Sequence, residues 1–370
     1  MRSIVVGLAC GVIALGGLCP TAMAQEATVV SEGPALQPHA VKIILHSALM
    51  GRDYQIEVTA PFRGPVFPGQ KAAVVYALDG GWGVAGPAGW LLGGGGAMSP
   101  AYVVTIGYPE GQANSRERDL LPRPVRRQDG TVAQGERSAL FTQFLTRELR
   151  PYIEARFPVD PQRSILFGHS LAGVFTANVL ADQPTAFSGY LIASPSIWAD
   201  PTVIERLRDA AEGRDRPVFV GYGEREDNYM VEGGQQLAEA LAARGDHVRT
   251  EVFPDAYHVT YYPAVMGRAL PILLPRQAPL DFPTETDLPA ATLTSLAGEF
   301  LVSGAIPLSL EASRDGLIAT VPGGGRLPLK ASSPSRFFSP DLDVRGVFSD
   351  DGQAIALFVN GDRIDAVRVR

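Results

Sequence analysis

The run Gly168-His169-Ser170-Leu171-Ala172-Gly173 sets a serine among small residues, between the apolar stretch Ser164-Ile165-Leu166-Phe167 and a helical stretch from about Leu171 to Ala181. A serine on a sharp strand-to-helix turn exposes its hydroxyl at the carboxyl end of a sheet, and small residues two places to either side let the chain turn that tightly. The following helix puts the positive end of its dipole beneath the hydroxyl. The stretch departs from G-x-S-x-G, because Ala172 stands at the second glycine and Gly173 follows one place later. A buried serine capping a helix is the competing reading. The preceding apolar strand favours the elbow, and the chemistry of an elbow serine is attack on a carbonyl carbon.

A serine hydroxyl is a weak nucleophile at neutral pH and needs a base. Only His247 and His258 follow Ser170, and elbow hydrolases keep the order serine, acid, histidine. His258 lies in a loop after the strand Val248–Phe253, where a base can hang over the elbow. His247 begins that strand and reads as a surface residue, and His169 reads as a residue that orients the turn. The acid is expected after the strand Val218–Gly221, where Glu224, Glu226 and Asp227 are the candidates and spacing alone does not choose. It would hold the imidazole in the right tautomer and stabilise its protonated form. Backbone N–H donors for a developing oxyanion are expected from Leu171 and from Gly81 or Trp82 in the glycine-rich loop after Leu78. Gly93–Gly96 has no following Lys-Ser or Lys-Thr, so it reads as a loop and not as a phosphate cradle.

These residues need a scaffold. Tyr54–Val58 alternates at period two, as a half-buried edge strand does, while Ala72–Leu78 and Tyr102–Ile106 are continuously apolar, as central parallel strands are. Leu140, Phe141, Phe144, Leu145, Leu149, Tyr152 and Ile153 recur at helical spacing, with Pro151 expected to end or kink that helix. Strands at Tyr190–Ala193 and Pro217–Val220 and helices at Gln235–Ala243 and about Tyr261–Leu274 continue the alternation. The β-α-β repetition predicts a mostly parallel sheet with helices on both faces over 41–275. The Pro-, Asp- and Thr-rich stretch 276–287 reads as a linker. Residues 288–370 read as a small all-β domain, with hairpin signals at Asp350-Asp351-Gly352 and Asn360-Gly361. Residues 25–40 are polar and expected to be flexible.

With 46% hydrophobic and 19% charged residues, the chain is neither disordered nor a coiled coil. A net charge of -7 without a long basic run argues against a nucleic-acid partner. Met1-Arg2, the apolar run Ile4–Leu18 and Ala22-Met23-Ala24 predict a secretory signal over 1–24, hence a periplasmic or secreted protein with no stable membrane span after cleavage, an uncleaved membrane anchor being the competing reading. Both cysteines, Cys10 and Cys19, lie in that segment, so a mature chain would have no disulfide, thiol nucleophile or thiolate metal site.

Residues 43–274 resemble the esterase branch of the α/β-hydrolase superfamily, which includes ferric-enterobactin and salmochelin esterases. The resemblance rests on Ser47 with Gly51–Ile56, Val75–Gly80, Arg116-Glu117-Arg118-Asp119-Leu120-Leu121-Pro122, Glu148–Glu154, Gly168–Gly173 and Ser194-Pro195-Ser196-Ile197-Trp198. It implies an α/β-hydrolase fold with Ser170 as nucleophile, His258 as base and Glu226 as acid, Asp227 being the alternative acid. Arg116 and Arg118 are substrate-binding candidates, with Arg123, Arg126 and Arg127 as further cations near the cleft; a solvated loop and a structural Arg118–Asp119 pair are the competing readings. The expected activity is cleavage of a small-molecule carboxylic ester, with no metal or organic cofactor implied. No long insertion separates the core strands, so an open cleft suited to a bulky ester, such as a trilactone siderophore, is expected. An acyltransferase with the same triad and a catalytically silent binding module are the alternatives.

Overall fold

A computed structural model describes residues 27–34, 39–64, 70–80, 83–94, 96–113, 115–127, 129–209, 216–277 and 283–369. The expected signal peptide, both cysteines and the two loop residues Gly81 and Trp82 lie outside the described residues.

An antiparallel meander of β1 (Thr28–Pro34), β2 (Ala40–Ser47) and β3 (Arg52–Thr59) leads into β4 (Ala72–Leu78) and β5 (Ala101–Gly107). A two-residue ribbon, β6 (Val125–Arg126) with β7 (Val132–Ala133), stands apart from the main sheet. The sheet continues with β8 (Val159–His169), β9 (Gly189–Ala193), β10 (Pro217–Gly223) and β11 (His247–Phe253). The order across the nine-stranded sheet is β1-β2-β3-β5-β4-β8-β9-β10-β11, and every pair from β5 to β11 is parallel.

The helices are α1 (Ala85–Gly94), α2 (Arg116–Leu120), α3 (Ser138–Phe144), α4 (Arg150–Arg156), α5 (Leu171–Asp182), α6 (Thr202–Asp209), α7 (Asn228–Arg244) and α8 (Tyr262–Leu273). Along β4, Val74, Tyr76 and Leu78 pack in one core while Ala73, Val75 and Ala77 pack in the other. Burial of both faces is why the strand reads as one apolar run. The first core takes side chains from α3, α5, α6 and α7, the second from α1 and α8.

Several expectations are corrected. The segment expected to be flexible holds β1, paired with β2 from Thr28↔His46 to Pro34↔Val41. An edge strand can be polar because its stability comes from ladder hydrogen bonds that composition does not report. For the same reason β3 is not an edge: β2 and β5 flank it. Of the two outcomes expected at Pro151, an end or a kink, the helix does not end. A π-helical turn, Leu145–Leu149, sits directly before α4, and the helix runs on to Arg156. A wider ladder there accommodates a residue that cannot donate and that crowds the preceding turn. Gly93 and Gly94 close α1 where only a loop was expected.

The second domain is a closed eight-stranded antiparallel barrel: β12 (Gly298–Val302), β13 (Ile306–Ser313), β14 (Gly316–Thr320), β15 (Arg326–Ser333), β16 (Arg336–Phe338), β17 (Val344–Phe348), β18 (Ala354–Val359) and β19 (Asp362–Arg368). Asn360 (φ 52°) and Gly361 (φ 94°) form the two-residue turn between the paired Val359 and Asp362, as the Asn-Gly signal predicts. The second domain is thus the small all-β domain expected, and a short preceding helix, α9 (Ala290–Leu296), adds Leu293 to the barrel core.

The barrel meets the first domain at the amino ends of the parallel strands. Arg163 of β8 pairs with the buried Asp362 at 2.8 Å, and Asn360 Nδ2 donates to the Gly64 carbonyl at 3.4 Å. The described residues of the expected linker are themselves docked. Arg276 pairs with Asp343 at 2.8 and 3.1 Å, and the Thr286 N–H donates to the Ala331 carbonyl at 2.8 Å. Ser170 follows the other end of β8, so barrel and elbow occupy opposite ends of one strand. No helix among the described residues is long and apolar enough to cross a membrane.

Candidate active site

Ser170 has φ 62° and ψ −118° at the junction of β8 and α5. A non-glycine residue so placed costs on the order of 1–3 kcal/mol, and the surrounding structure must enforce it. Main-chain bonds do so: the Ser170 N–H donates to Ala193 O at 3.0 Å and the Ser196 N–H to Ser170 O at 3.1 Å. A Cβ on Gly168 would lie 2.0 Å from the Ala172 carbonyl oxygen, which leaves room for glycine alone. A Cβ on Gly173 would lie 2.8 Å from Ala193 O and 3.0 Å from Pro195 Cα. The close crossing that requires a second glycine therefore falls at Gly173, while Ala172 packs in the core. Leu171 opens α5, and an N–H at that position has no acceptor within the helix.

Glu226 and His258 come from the loops that follow β10 and β11. Their Oε2 and Nδ1 atoms are 2.6 Å apart. The Glu226 side chain is fully buried, and its Oε1 accepts the Gly223 N–H at 2.6 Å and the Ser194 hydroxyl. The Tyr261 hydroxyl lies against Ser194 Oγ and the Gly221 carbonyl. Burial pushes the Glu226 carboxyl up, but bonds from His258, Ser194 and the Gly223 N–H outweigh it and hold the group below its ordinary value. A Cβ on Gly223 would come within 2.3 Å of the Ala256 carbonyl, so glycine there lets the histidine loop cross the acid loop.

Of the other acids, Asp227 is exposed at the N-cap of α7, and Glu224 accepts the Asp255 N–H at 3.0 Å on the outer side of the loop. Only Glu226 of the three reaches a histidine. His247 is exposed at the amino end of β11, the wrong end of the sheet for the elbow. His169 is buried, donates from Nε2 to the His258 carbonyl at 2.7 Å and packs its ring 4.6 Å from that of His258. Burial, then the neighbouring His258, lowers its pKa to about 4, so it is a neutral support for the loop. The Ser170 hydroxyl lies 3.4 Å from Ser196 Oγ and, among the described residues, makes no hydrogen bond to His258. Hydrogen bonds of this kind are commonly loose without substrate.

The two arginines expected to bind substrate are committed to carboxylates. Arg116 Nε and Nη2 pair with Asp79 at 2.6 and 2.9 Å, and Nη2 also reaches the His169 carbonyl at 3.1 Å. Arg118 pairs at 2.8 Å with the fully buried Asp119, which also accepts the Tyr54 and Tyr108 hydroxyls at 2.8 and 3.1 Å. A buried carboxylate needs such partners, so both arginines have a structural role in this loop. Arg123 faces Asp200 at 3.4 Å, Arg127 pairs with Glu117, and Arg126 donates to Gly130 O at 3.2 Å.

Sequence reasoning missed Asp79, Ser194, Ser196 and Tyr261 as parts of this site. The signal for the serines was their position just past β9, the parallel neighbour of β8, because ligands gather at carboxyl ends of parallel strands. Among the described residues, no group of three or more His, Cys, Asp or Glu side chains is arranged to hold a metal ion.

The family described as "Putative esterase" matches residues 47–269. The chain belongs to this esterase family. The esterase is 30% identical over 205 residues to the ferri-bacillibactin esterase BesA of Bacillus subtilis (strain 168), a match covering 49% of this chain and 69% of that one. It is 32% identical over 170 residues to the siderophore triacetylfusarinine C esterase of Aspergillus fumigatus, covering 40% of this chain and 53% of that one. The crystal structure of the BES protein from Bacillus cereus superposes with a TM-score of 0.56 at 27% identity, over 67% of this chain and 99% of that chain. The esterase thus has the α/β-hydrolase fold and is a carboxylic ester hydrolase, with its barrel beyond the matched region.

Proposed function

We propose that the esterase is a secreted or periplasmic serine hydrolase that opens a siderophore-type polyester. Ser170 Oγ attacks the ester carbonyl as His258 takes its proton, and the oxyanion collapses to expel the alcohol, which His258 protonates. Water, deprotonated by His258, then releases the carboxylate and regenerates Ser170. Glu226 keeps the His258 ring in the tautomer with its free nitrogen toward Ser170 and stabilises the imidazolium. The Leu171 N–H is one oxyanion donor, and an N–H from Gly81 or Trp82 is the second.

The observation that carries this reading is the 2.6 Å bond between buried Glu226 and His258 at the same sheet end as the strained Ser170 elbow. The substrate class is supported by the siderophore esters named for both relatives, and by a base that is 37% exposed at the site. The export signal read over 1–24 supports the compartment.

The test is a hydrolysis panel of a catecholate trilactone, a hydroxamate ester siderophore, a feruloyl ester and 4-nitrophenyl butyrate. The reading expects the highest kcat/KM on a siderophore ester and none of it in Ser170→Ala. A preference for the feruloyl ester would overturn the substrate class. Export is checked by fractionation and by sequencing the mature N-terminus, which should begin at Gln25.

A further inference from the structure

Ser196 is 2% exposed, and its hydroxyl lies 3.4 Å from Ser170 Oγ, its side-chain hydrogen-bond partner among the described residues. Buried hydroxyls are kept satisfied, and the side-chain partner this one faces is the nucleophile, in a long contact that can shorten. Its place is fixed by the main chain, because the Ser196 N–H holds Ser170 O at 3.1 Å and Ser196 O accepts the Ala199 N–H at 2.9 Å. Gly173 permits the close approach of Pro195 that brings the segment over the elbow. The neighbouring Ser194 turns to Glu226, so the two serines of Ser194-Pro195-Ser196 serve the acid and the nucleophile separately.

Resting on the serine-esterase reading, we propose that Ser196 is a further catalytic residue, a hydroxyl donor to the negative charge that develops at the reacting centre. Either hydroxyl can donate across the 3.4 Å contact, and once the Ser170 proton turns to His258 the Ser196 proton is the one directed at Ser170 Oγ. On attack, an Oγ lone pair forms the new C–O bond, the Oγ proton passes to His258, and the carbonyl π pair moves onto the carbonyl oxygen. Oγ becomes an ester oxygen and a poorer acceptor. The oxyanion is bonded to the same carbon as Oγ, so it forms beside the oxygen that the Ser196 hydroxyl already faces. The Ser196 proton then moves its hydrogen bond to the oxyanion and returns when the intermediate collapses. The bond to the oxyanion exists only while charge is present, so it acts on kcat and not on ground-state binding.

The test compares wild type, Ser196→Ala, Ser196→Cys and Ser170→Ala on 4-nitrophenyl butyrate, with labelling by a fluorophosphonate as a second readout. Cysteine is close to serine in size but a weak donor. Both Ser196 variants should lose on the order of 10–100-fold in kcat with KM within about twofold, the pattern of a bond made only in the transition state. The second-order labelling rate should fall in parallel, because phosphonylation builds charge on the phosphoryl oxygen. If Ser196→Ala does not fold, Ser196→Cys alone decides. Wild-type kcat in the folded variant, or a fall in melting temperature alone, would overturn the role of Ser196 while Ser170→Ala stayed inactive. Turnover in Ser170→Ala would instead overturn the serine-esterase reading beneath it.

Discussion

Arg116 joins the ends of two central strands. Its guanidinium grips both oxygens of Asp79, just past β4, at 2.6 and 2.9 Å, and reaches the carbonyl of His169, the last residue of β8, at 3.1 Å. Asp79 is itself held at φ 60° and precedes the loop expected to supply an oxyanion donor. One cation thus ties the residue just past β4 to the residue just before the elbow serine.

Removing this cation should cost stability. Arg116→Ala leaves the Asp79 carboxylate, 8% exposed, without its ion-pair partner, and broken buried pairs of this kind cost about 3–5 kcal/mol. Arg116→Lys restores the charge but not the fork, so it should recover only part of the loss. Denaturant unfolding of the two variants checks this. Equal stability of wild type and Arg116→Ala would mean that the pair is not a structural clamp.

Acid should weaken the fold through His169. Its pKa falls from the ordinary 6.5 to about 4 on folding, so between those values the unfolded chain binds more protons than the folded one. Stability therefore decreases as pH falls from about 6.5 to about 4, by up to roughly 3 kcal/mol from this group. Glu226 adds a separate loss at lower pH: its stabilisation is complete above the ordinary carboxyl range and disappears as pH drops through its depressed folded value. Urea midpoints at pH 7 and pH 5 should differ more for wild type than for His169→Gln, which keeps a donor toward the His258 carbonyl. Equal differences would assign the acid sensitivity to other groups.

The barrel should matter to stability and not to chemistry. A chain ending at residue 285 leaves Arg163 and Arg276 without Asp362 and Asp343, and exposes the strand ends that the Val359–Asp362 turn covers. It should melt several degrees lower than the full chain, since about 1 kcal/mol shifts the midpoint by roughly 2–4 °C at this size. Its kcat per folded molecule on 4-nitrophenyl butyrate should match the full chain, because the barrel docks away from Ser170. Active-site titration with a fluorophosphonate supplies the folded fraction. A lower kcat on that scale would show coupling along β8.

The parallel strands and the elbow were legible because their signals are local. Uninterrupted apolar runs report burial on both faces, and the glycine before Ser170 reports a turn that a side chain would block. The barrel hairpin was legible for the same reason, through Asn360-Gly361. What stayed hidden depends on partners far apart in sequence. Nothing near Arg116 says that Asp79 will meet it, so its charge read as a substrate contact. The π turn before Pro151 keeps a helix going where the local rule ends it, and Glu148 within that turn is fixed by Ser47 Oγ at 2.5 Å and the Leu49 N–H at 3.1 Å. The choice among Glu224, Glu226 and Asp227 was likewise a matter of which way a short turn faces, a question of packing that residue types do not answer.

That choice yields the sharpest test of the site. Glu226 Oε1 accepts from Gly223 N–H and Ser194, which leaves Oε2 for His258 Nδ1 at 2.6 Å. A glutamine cannot satisfy all three. With its carbonyl oxygen on Gly223 and Ser194, its NH2 group faces His258 and favours the tautomer whose proton points at Ser170, the wrong one for a base. With the amide reversed, the NH2 group confronts the Gly223 N–H, and a buried donor loses its acceptor. Either way the imidazolium loses its countercharge. Glu226→Gln should therefore reduce kcat by roughly 10²–10⁴-fold, in the range known for the orienting acid of serine triads. Asp227→Asn should stay within about tenfold, since the exposed Asp227 carboxylate is screened by water and does not face His258. Steady-state kinetics on 4-nitrophenyl butyrate, with circular dichroism to confirm folding, compares the two. A folded Glu226→Gln enzyme with near wild-type kcat would reduce the site to a Ser170–His258 dyad, whatever the 2.6 Å bond contributes to stability.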